Sequence, residues 1–77
     1  FIMFRTNYKK QVDEIMQIIQ EEYQRHHEMA NIFGDAVNGC QNNENRERNM
    51  DLMNEEFMMM RLCGRLLDKI NDRVLKD

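Results

Sequence analysis

The sequence predicts an all-α fold, a two-helix antiparallel hairpin that assembles by homodimerisation into a four-helix bundle. Apolar residues in the first half of the chain recur at alternating steps of four and three, and the second half repeats this spacing after a polar break. Proline is absent and glycine occurs three times, so few residues oppose long helices. The 77 residues are expected to form a single helical-hairpin domain, residues 1–77.

The first predicted helix spans about residues 6–37, with Thr6 or Asn7 as its N-cap. A start one turn earlier is the alternative, because Phe4, Tyr8 and Val12 share one face. We expect it to end at Asn38 and Gly39, two residue types that favour a left-handed C-cap. Its heptad seam, the row that packs on another helix, is Val12, Met16, Ile19, Tyr23, His26, Ala30, Phe33 and Val37.

A polar connection over about residues 38–43 suits a turn between antiparallel neighbours. Asn42 or Asn43 is expected to cap the second helix, which spans about residues 44–75. The apolar residues predicted on its seam are Met53, Phe57, Met60, Leu67 and Val74. Four consecutive apolar residues cannot all face one stripe, so Met58 is expected to face outward.

Both helices carry more apolar residues than one neighbouring helix covers. The surplus is Ile15, Ile18, Met29 and Ile32 in the first helix and Met58, Met59, Leu62, Leu66 and Ile70 in the second. Apolar patches of this kind mark interfaces, so we expect self-association and contact with another protein. The predicted interface residues are Val12, Met16, Ile19, Tyr23, His26, Phe33, Met53, Phe57, Met58, Met60 and Leu67.

Composition argues against several functional classes. The net charge is −3 with interspersed signs, which disfavours a nucleic-acid partner. No apolar run approaches the roughly 20 residues of a membrane span, so no membrane partner is expected. Cys40 and Cys63 fall about 30 Å apart along the predicted helix, too far for an intrachain disulfide, which favours a reducing, cytoplasmic location.

The chain lacks the groups that nucleophilic catalysis requires. It contains no serine, and neither histidine is placed beside a cysteine by sequence, so we expect no enzyme and no cofactor. His26 lies on the seam, where a buried polar side chain defines register or responds to pH. Glu22, four residues earlier, shares its face, and this pair is the alternative candidate for a metal site completed by symmetry mates.

Two functional hypotheses follow from these patterns. The first is a small intracellular interaction module, an adaptor or inhibitor that acts through the helix faces of a homo-oligomer. The second is an oligomer that sequesters a small anion such as a nucleotide at subunit junctions, with Arg25, Arg61 and Arg65 as its cations. The small, acidic, methionine-rich composition would suit a viral or phage accessory protein.

Overall fold

The computed structural model describes the backbone of residues 2–74 and the side chains of residues 8–73. Two helices, α1 (Ile2–Gly39) and α2 (Asn43–Val74), are joined by residues 40–42 and pack against each other. The predicted all-α helical hairpin is confirmed. The molecule is a rod of 62 × 16 × 12 Å, about as long as its longer helix. Among the described residues, neither helix combines the length and apolar character that crossing a bilayer requires.

The helix α1 ends at Gly39, where its end was expected, but its start and the conformation of its C-cap differ from the prediction. Thr6 and Asn7 lie inside the helix, which already includes Ile2, so neither is its N-cap. The left-handed cap predicted at Gly39 is wrong, because no glycine of the described residues has a positive φ. The Cys40 N–H instead donates to the Val37 carbonyl at 3.4 Å, a tighter last turn that replaces the glycine cap.

Asn42 is the N-cap of α2, which decides between the two predicted asparagines. Its side-chain oxygen accepts from the backbone N–H of Glu44 at 2.8 Å and of Asn45 at 3.3 Å. These amides have no partner inside the helix, so the cap satisfies two otherwise unbonded donors. The Arg46 guanidinium donates to the Cys40 carbonyl at 2.7 Å and ties the connection to the first turn of α2.

The predicted seam of α1 faces α2. All eight of its residues are buried or half-buried. Val12 and Ala30, at 8% and 2% exposed, are the buried hydrophobic residues of the described part of the chain. A hairpin of two helices therefore has a line of contact rather than an enclosed core.

The face of α2 that packs on α1 differs from the predicted one. Phe57 was expected on the seam, yet it is 45% exposed and lies beside the contact between the helices. Val74 lies outside the described side chains. The half-buried residues that recur at steps of four and three are Asn49, Met53, Glu56, Met60, Cys63, Leu67 and Ile70.

Polar residues on this seam explain the difference. The Asn49 amide donates to Cys40 Sγ at 3.5 Å, and Glu56 forms a hydrogen bond with His26 of α1. A half-buried polar side chain is tolerated where it finds a partner, so the contact row need not be apolar throughout. The sequence prediction used apolar residues alone, so it assigned Phe57 to the seam in place of its neighbour Glu56.

We expect Asn42→Ala to lower the free energy of unfolding by about 1 kcal/mol, because two backbone donors of α2 lose their acceptor. Urea denaturation measures the loss. Asn43→Ala is the matched control, since it removes the same amide from a side chain that accepts neither bond. Equal losses in the two variants would contradict the cap.

We expect Ile19→Ala to lower the free energy of unfolding by about 2 kcal/mol, because Ile19 lies on the seam of α1. Phe57→Ala should cost less than about 1 kcal/mol, because the ring lies half in water and leaves little cavity. Both are measured by urea denaturation at one protein concentration. A larger loss at Phe57 would show that its ring is buried by something other than α1.

Candidate interaction face

A second apolar row runs beside the seam on each helix. In α1 its members stand one residue before or two residues after a seam residue, as Ile15 and Ile18 do relative to Met16. In α2, Met59 and Leu62 stand in the same positions relative to Met60. Two antiparallel helices are related by a twofold axis perpendicular to the plane that contains both. Residues at the same position relative to the seam therefore lie on the same side of the hairpin in both helices.

We call this side the front face. Seven of its side chains are 44–60% exposed, and Met29 and Leu52 are half-buried. Its nine apolar residues are Tyr8, Ile15, Ile18, Met29 and Ile32 of α1 with Leu52, Met59, Leu62 and Leu66 of α2, and charged residues at front positions include Glu22, Arg25, Glu55 and Lys69.

The opposite side, the back face, is mostly polar. It carries Met50 and Phe57 as exposed apolar residues. Its polar residues include Asp13, Gln20, Gln24 and His27 of α1 and Asn54, Arg61 and Asp68 of α2. The hairpin as a whole is therefore amphipathic, as a single surface helix is in a larger protein.

The exposed area is large for a chain of this mass. The accessible surface is 6643 Å² for 9.4 kDa, whereas a folded monomer of that mass exposes about 5,000 Å². The radius of gyration is 17.7 Å, against about 11–12 Å for an ordinary domain of this length. The excess, about 1,600 Å², exceeds the roughly 800 Å² that each partner contributes to a standard protein–protein interface.

A row of polar side chains crosses the hairpin near its middle. His26 Nδ1 forms a hydrogen bond with Glu56 Oε2 across the seam, where the two side chains are 15% and 20% exposed. The other ring nitrogen lies 3.9 Å from Glu22 Oε2. Glu22 in turn accepts from Arg25 Nη2 at 2.6 Å. This central polar row, Glu56–His26–Glu22–Arg25, leads from the seam to the front face.

The central polar row discriminates between alignments of the two helices. Sliding α2 along α1 would separate Glu56 from His26 and leave a carboxylate against apolar side chains without its donor. Such a carboxylate loses the hydrogen bond that compensates for its removal from water. The pair therefore favours one register of the hairpin, which supports the register role expected for His26.

Glu22 and His26 were also the alternative candidate for a metal site completed by symmetry mates. In the structure both belong to the central polar row, where Glu56 and Arg25 are their partners. Among the side chains of residues 8–73, no group of three or more histidine, cysteine or acidic residues is arranged to hold a metal ion. Cys40 and Cys63 are free thiols, both half-buried.

The three arginines predicted to bind an anion lie on different sides of the hairpin. Arg25 is on the front face and is paired with Glu22. Arg61 is on the back face, and Arg65 is on the side of α2 that points away from α1. The surface beside Arg25 is also lined by Glu21 and Glu28, whose carboxylates repel an anion.

Glu56 is the residue that sequence reasoning missed. Its signal was positional, since it stands three residues after Met53 and four before Met60, on the heptad spacing. Comparison with protein-family models, with curated proteins and with solved structures finds no match to this chain. The front face and the central polar row are thus the features from which function is inferred.

We expect a coupling energy of about 1–2 kcal/mol between His26 and Glu56, since each is the other's partner in a half-buried site. A double-mutant cycle with His26→Ala, Glu56→Ala and the double variant measures it by urea denaturation. Glu28, an exposed residue of α1, replaces Glu56 in the control cycle and should show coupling below about 0.5 kcal/mol. Equal coupling energies in the two cycles would contradict the role of His26 and Glu56 in setting the register of the helices.

Proposed function

We propose that this chain is a protein–protein interaction module that acts through helix faces as a homo-oligomeric bundle. The front face is the observation that carries the proposal. It presents nine apolar side chains on one side of a hairpin whose described part has two buried hydrophobic residues. Covering such a face removes apolar area from water, which is the main driving force of association.

The chemistry of the described side chains supports a binding role. His26 is held between the Glu56 and Glu22 carboxylates, an arrangement that aligns helices rather than activating a nucleophile. An adaptor or an inhibitor requires a complementary surface and no reaction. We therefore place the module in that class, with its partner recognised by packing of helices.

The methionines of α2 suit such a role. Met58, which was expected to face outward, is 60% exposed, and Met50 and Met59 are exposed as well. Unbranched thioether side chains adapt to partner surfaces of different shape at low cost in strain. A bundle formed through the front face would still present Met50, Phe57 and Met58 to another protein.

We expect Ile18→Glu to reduce the solution mass to that of one chain, because a carboxylate within the apolar row cannot be buried without a partner. Size exclusion with light scattering, over a dilution series, measures the mass of the variant and of the unmodified chain. Gln24→Glu adds the same charge to the back face and should leave the mass unchanged. An unmodified chain that is monomeric throughout the series would overturn the homo-oligomer.

The same samples test the ligand-sequestering alternative. The proposed module should show no change in melting temperature with a panel of nucleotides, because its arginines lie apart. Stabilisation by one nucleotide class, lost in Arg61→Ala and Arg65→Ala, would support the anion-binding oligomer instead.

A further inference from the structure

The front face of α1 has a nearly palindromic order of residues. Its consecutive front positions are Ile15, Ile18, Glu22, Arg25, Met29 and Ile32. The centre of this series lies between Tyr23 and Gln24. Residues at equal distance from the centre are complementary. The two outer pairs, Ile15 with Ile32 and Ile18 with Met29, are apolar, and the central pair is the acid Glu22 with the base Arg25. A row of this kind is complementary to itself in the antiparallel direction.

One row of the front face of α2 is centred at the same height of the hairpin. Leu52, Met59 and Leu66 each stand one residue before a seam residue and follow at equal steps of seven, with Met59 in the middle. Glu55 and Leu62, the front residues between them, differ from each other in chemistry. The contact between His26 and Glu56 shows which residues of the two helices lie level. Because the helices are antiparallel, each residue before His26 in α1 lies level with one residue after Glu56 in α2. The centre of the α1 row therefore lies level with the point between Met58 and Met59. The two centres agree within about one residue's rise, 1.5 Å.

We propose that a second copy of this chain covers the front face, related by a twofold axis that crosses both helices at this height. The axis lies in the interface and perpendicular to the helices. Each α1 then packs antiparallel on the α1 of the other copy, and each α2 packs antiparallel on the other α2. This inference rests on the proposed function and specifies its partner and its geometry.

Charge complementarity is the first argument for this arrangement. Next to the axis, Arg25 of each copy meets Glu22 of the other, so the four charges alternate in sign. The ion pair seen within one chain, 2.6 Å long, leaves further guanidinium N–H groups that can donate to a second carboxylate. The central polar row of one hairpin then continues into that of the other.

The competing twofold arrangement has less of this complementarity. An axis parallel to the helices would place α1 on the α2 of the other copy. Arg25 would then lie level with Glu55, but Glu22 would face Met59 and Leu62, which offer its carboxylate no cation. Removing charged side chains from water against apolar ones is costly, so the palindromic row disfavours this alternative.

Area is the second argument. The excess surface of one chain is about 1,600 Å², and one partner contributes roughly 800 Å² to a standard interface. Each chain therefore has enough excess surface to supply its half of a dimer interface. The nine apolar residues of the front face would form most of its buried area, with the Glu22 and Arg25 pairs at the axis and the other polar neighbours at the rim.

Two charge variants test the axis. Glu22→Arg alone and Arg25→Glu alone each place like charges next to the axis, and each should raise the dimer dissociation constant at least about tenfold. Mixed in equal amounts, the two variants should form heterodimers as tight as the unmodified dimer, because opposite charges face each other again. The pair within each chain stays mismatched in the mixture, so recovery reports the contact between chains.

The control for these variants is Glu21→Arg, which makes the same charge change on the side of α1 away from α2. It should leave the dissociation constant unchanged. Heterodimers are measured by light scattering and by native mass spectrometry, in which the variants differ in mass. If the mixture associates no more tightly than each variant alone, the axis is wrong.

A cross-linking experiment tests the same axis through α2. With Cys40 and Cys63 replaced by alanine, Met59→Cys should form a disulfide with its own copy under mild oxidation, because the axis passes beside Met59. Leu66→Cys alone should not, yet it should cross-link to Leu52→Cys in a mixture of the two. A cross-link of Leu66→Cys to itself, or none from Met59→Cys, would overturn the geometry.

The outcomes separate this inference from the proposed function. The unmodified chain could form a dimer while the charge mixture shows no recovery and Met59→Cys forms no cross-link. That result would refute the geometry and leave the interaction module in place. An unmodified chain that stays monomeric at every concentration would refute both. Recovery in the charge mixture together with the Met59→Cys cross-link supports the second copy and its axis.

Discussion

Each helix of this hairpin has one neighbour, and that constraint determines the rest of the structure. A helix with an apolar side two rows wide can bury one row against a single neighbour, and its second row stays in water. The seam of α1 is buried or half-buried, whereas Ile15 and Ile18 beside it are exposed. The rod shape and the scarcity of fully buried residues follow from this geometry. So does the front face, because antiparallel packing places both second rows on the same side.

The contact between His26 and Glu56 supplies the specificity that the apolar seam lacks. Met53 and Met60 occupy the seam positions of α2 on either side of Glu56, and methionine packs acceptably in many arrangements. A seam of such residues alone would tolerate sliding of the helices. A half-buried imidazole and carboxylate that must contact each other do not tolerate such sliding. The polar pair therefore reduces hydrophobic burial on the seam and favours one alignment of the helices.

The same alignment matters for the proposed assembly. The α1 row is centred near Tyr23 and the α2 row at Met59, and these centres lie level in the register that His26 and Glu56 favour. A hairpin shifted by one heptad would move the two centres about 10 Å apart along the rod, and one twofold axis could no longer satisfy both. In the proposed dimer, a contact inside the chain therefore controls a contact between chains.

The sequence by itself determined the two helices, the seam of α1 and the polar connection with a capping asparagine. These features depend on local spacing and propensity, which a single chain displays directly. It did not reveal that Glu56 rather than Phe57 lies on the seam of α2, because the partner that makes a half-buried carboxylate acceptable stands 30 residues away. Hydrophobicity identifies a contact row only where that row is apolar. The tertiary structure also decided that the surplus rows form one face, since only the antiparallel pairing of α1 and α2 brings them to the same side.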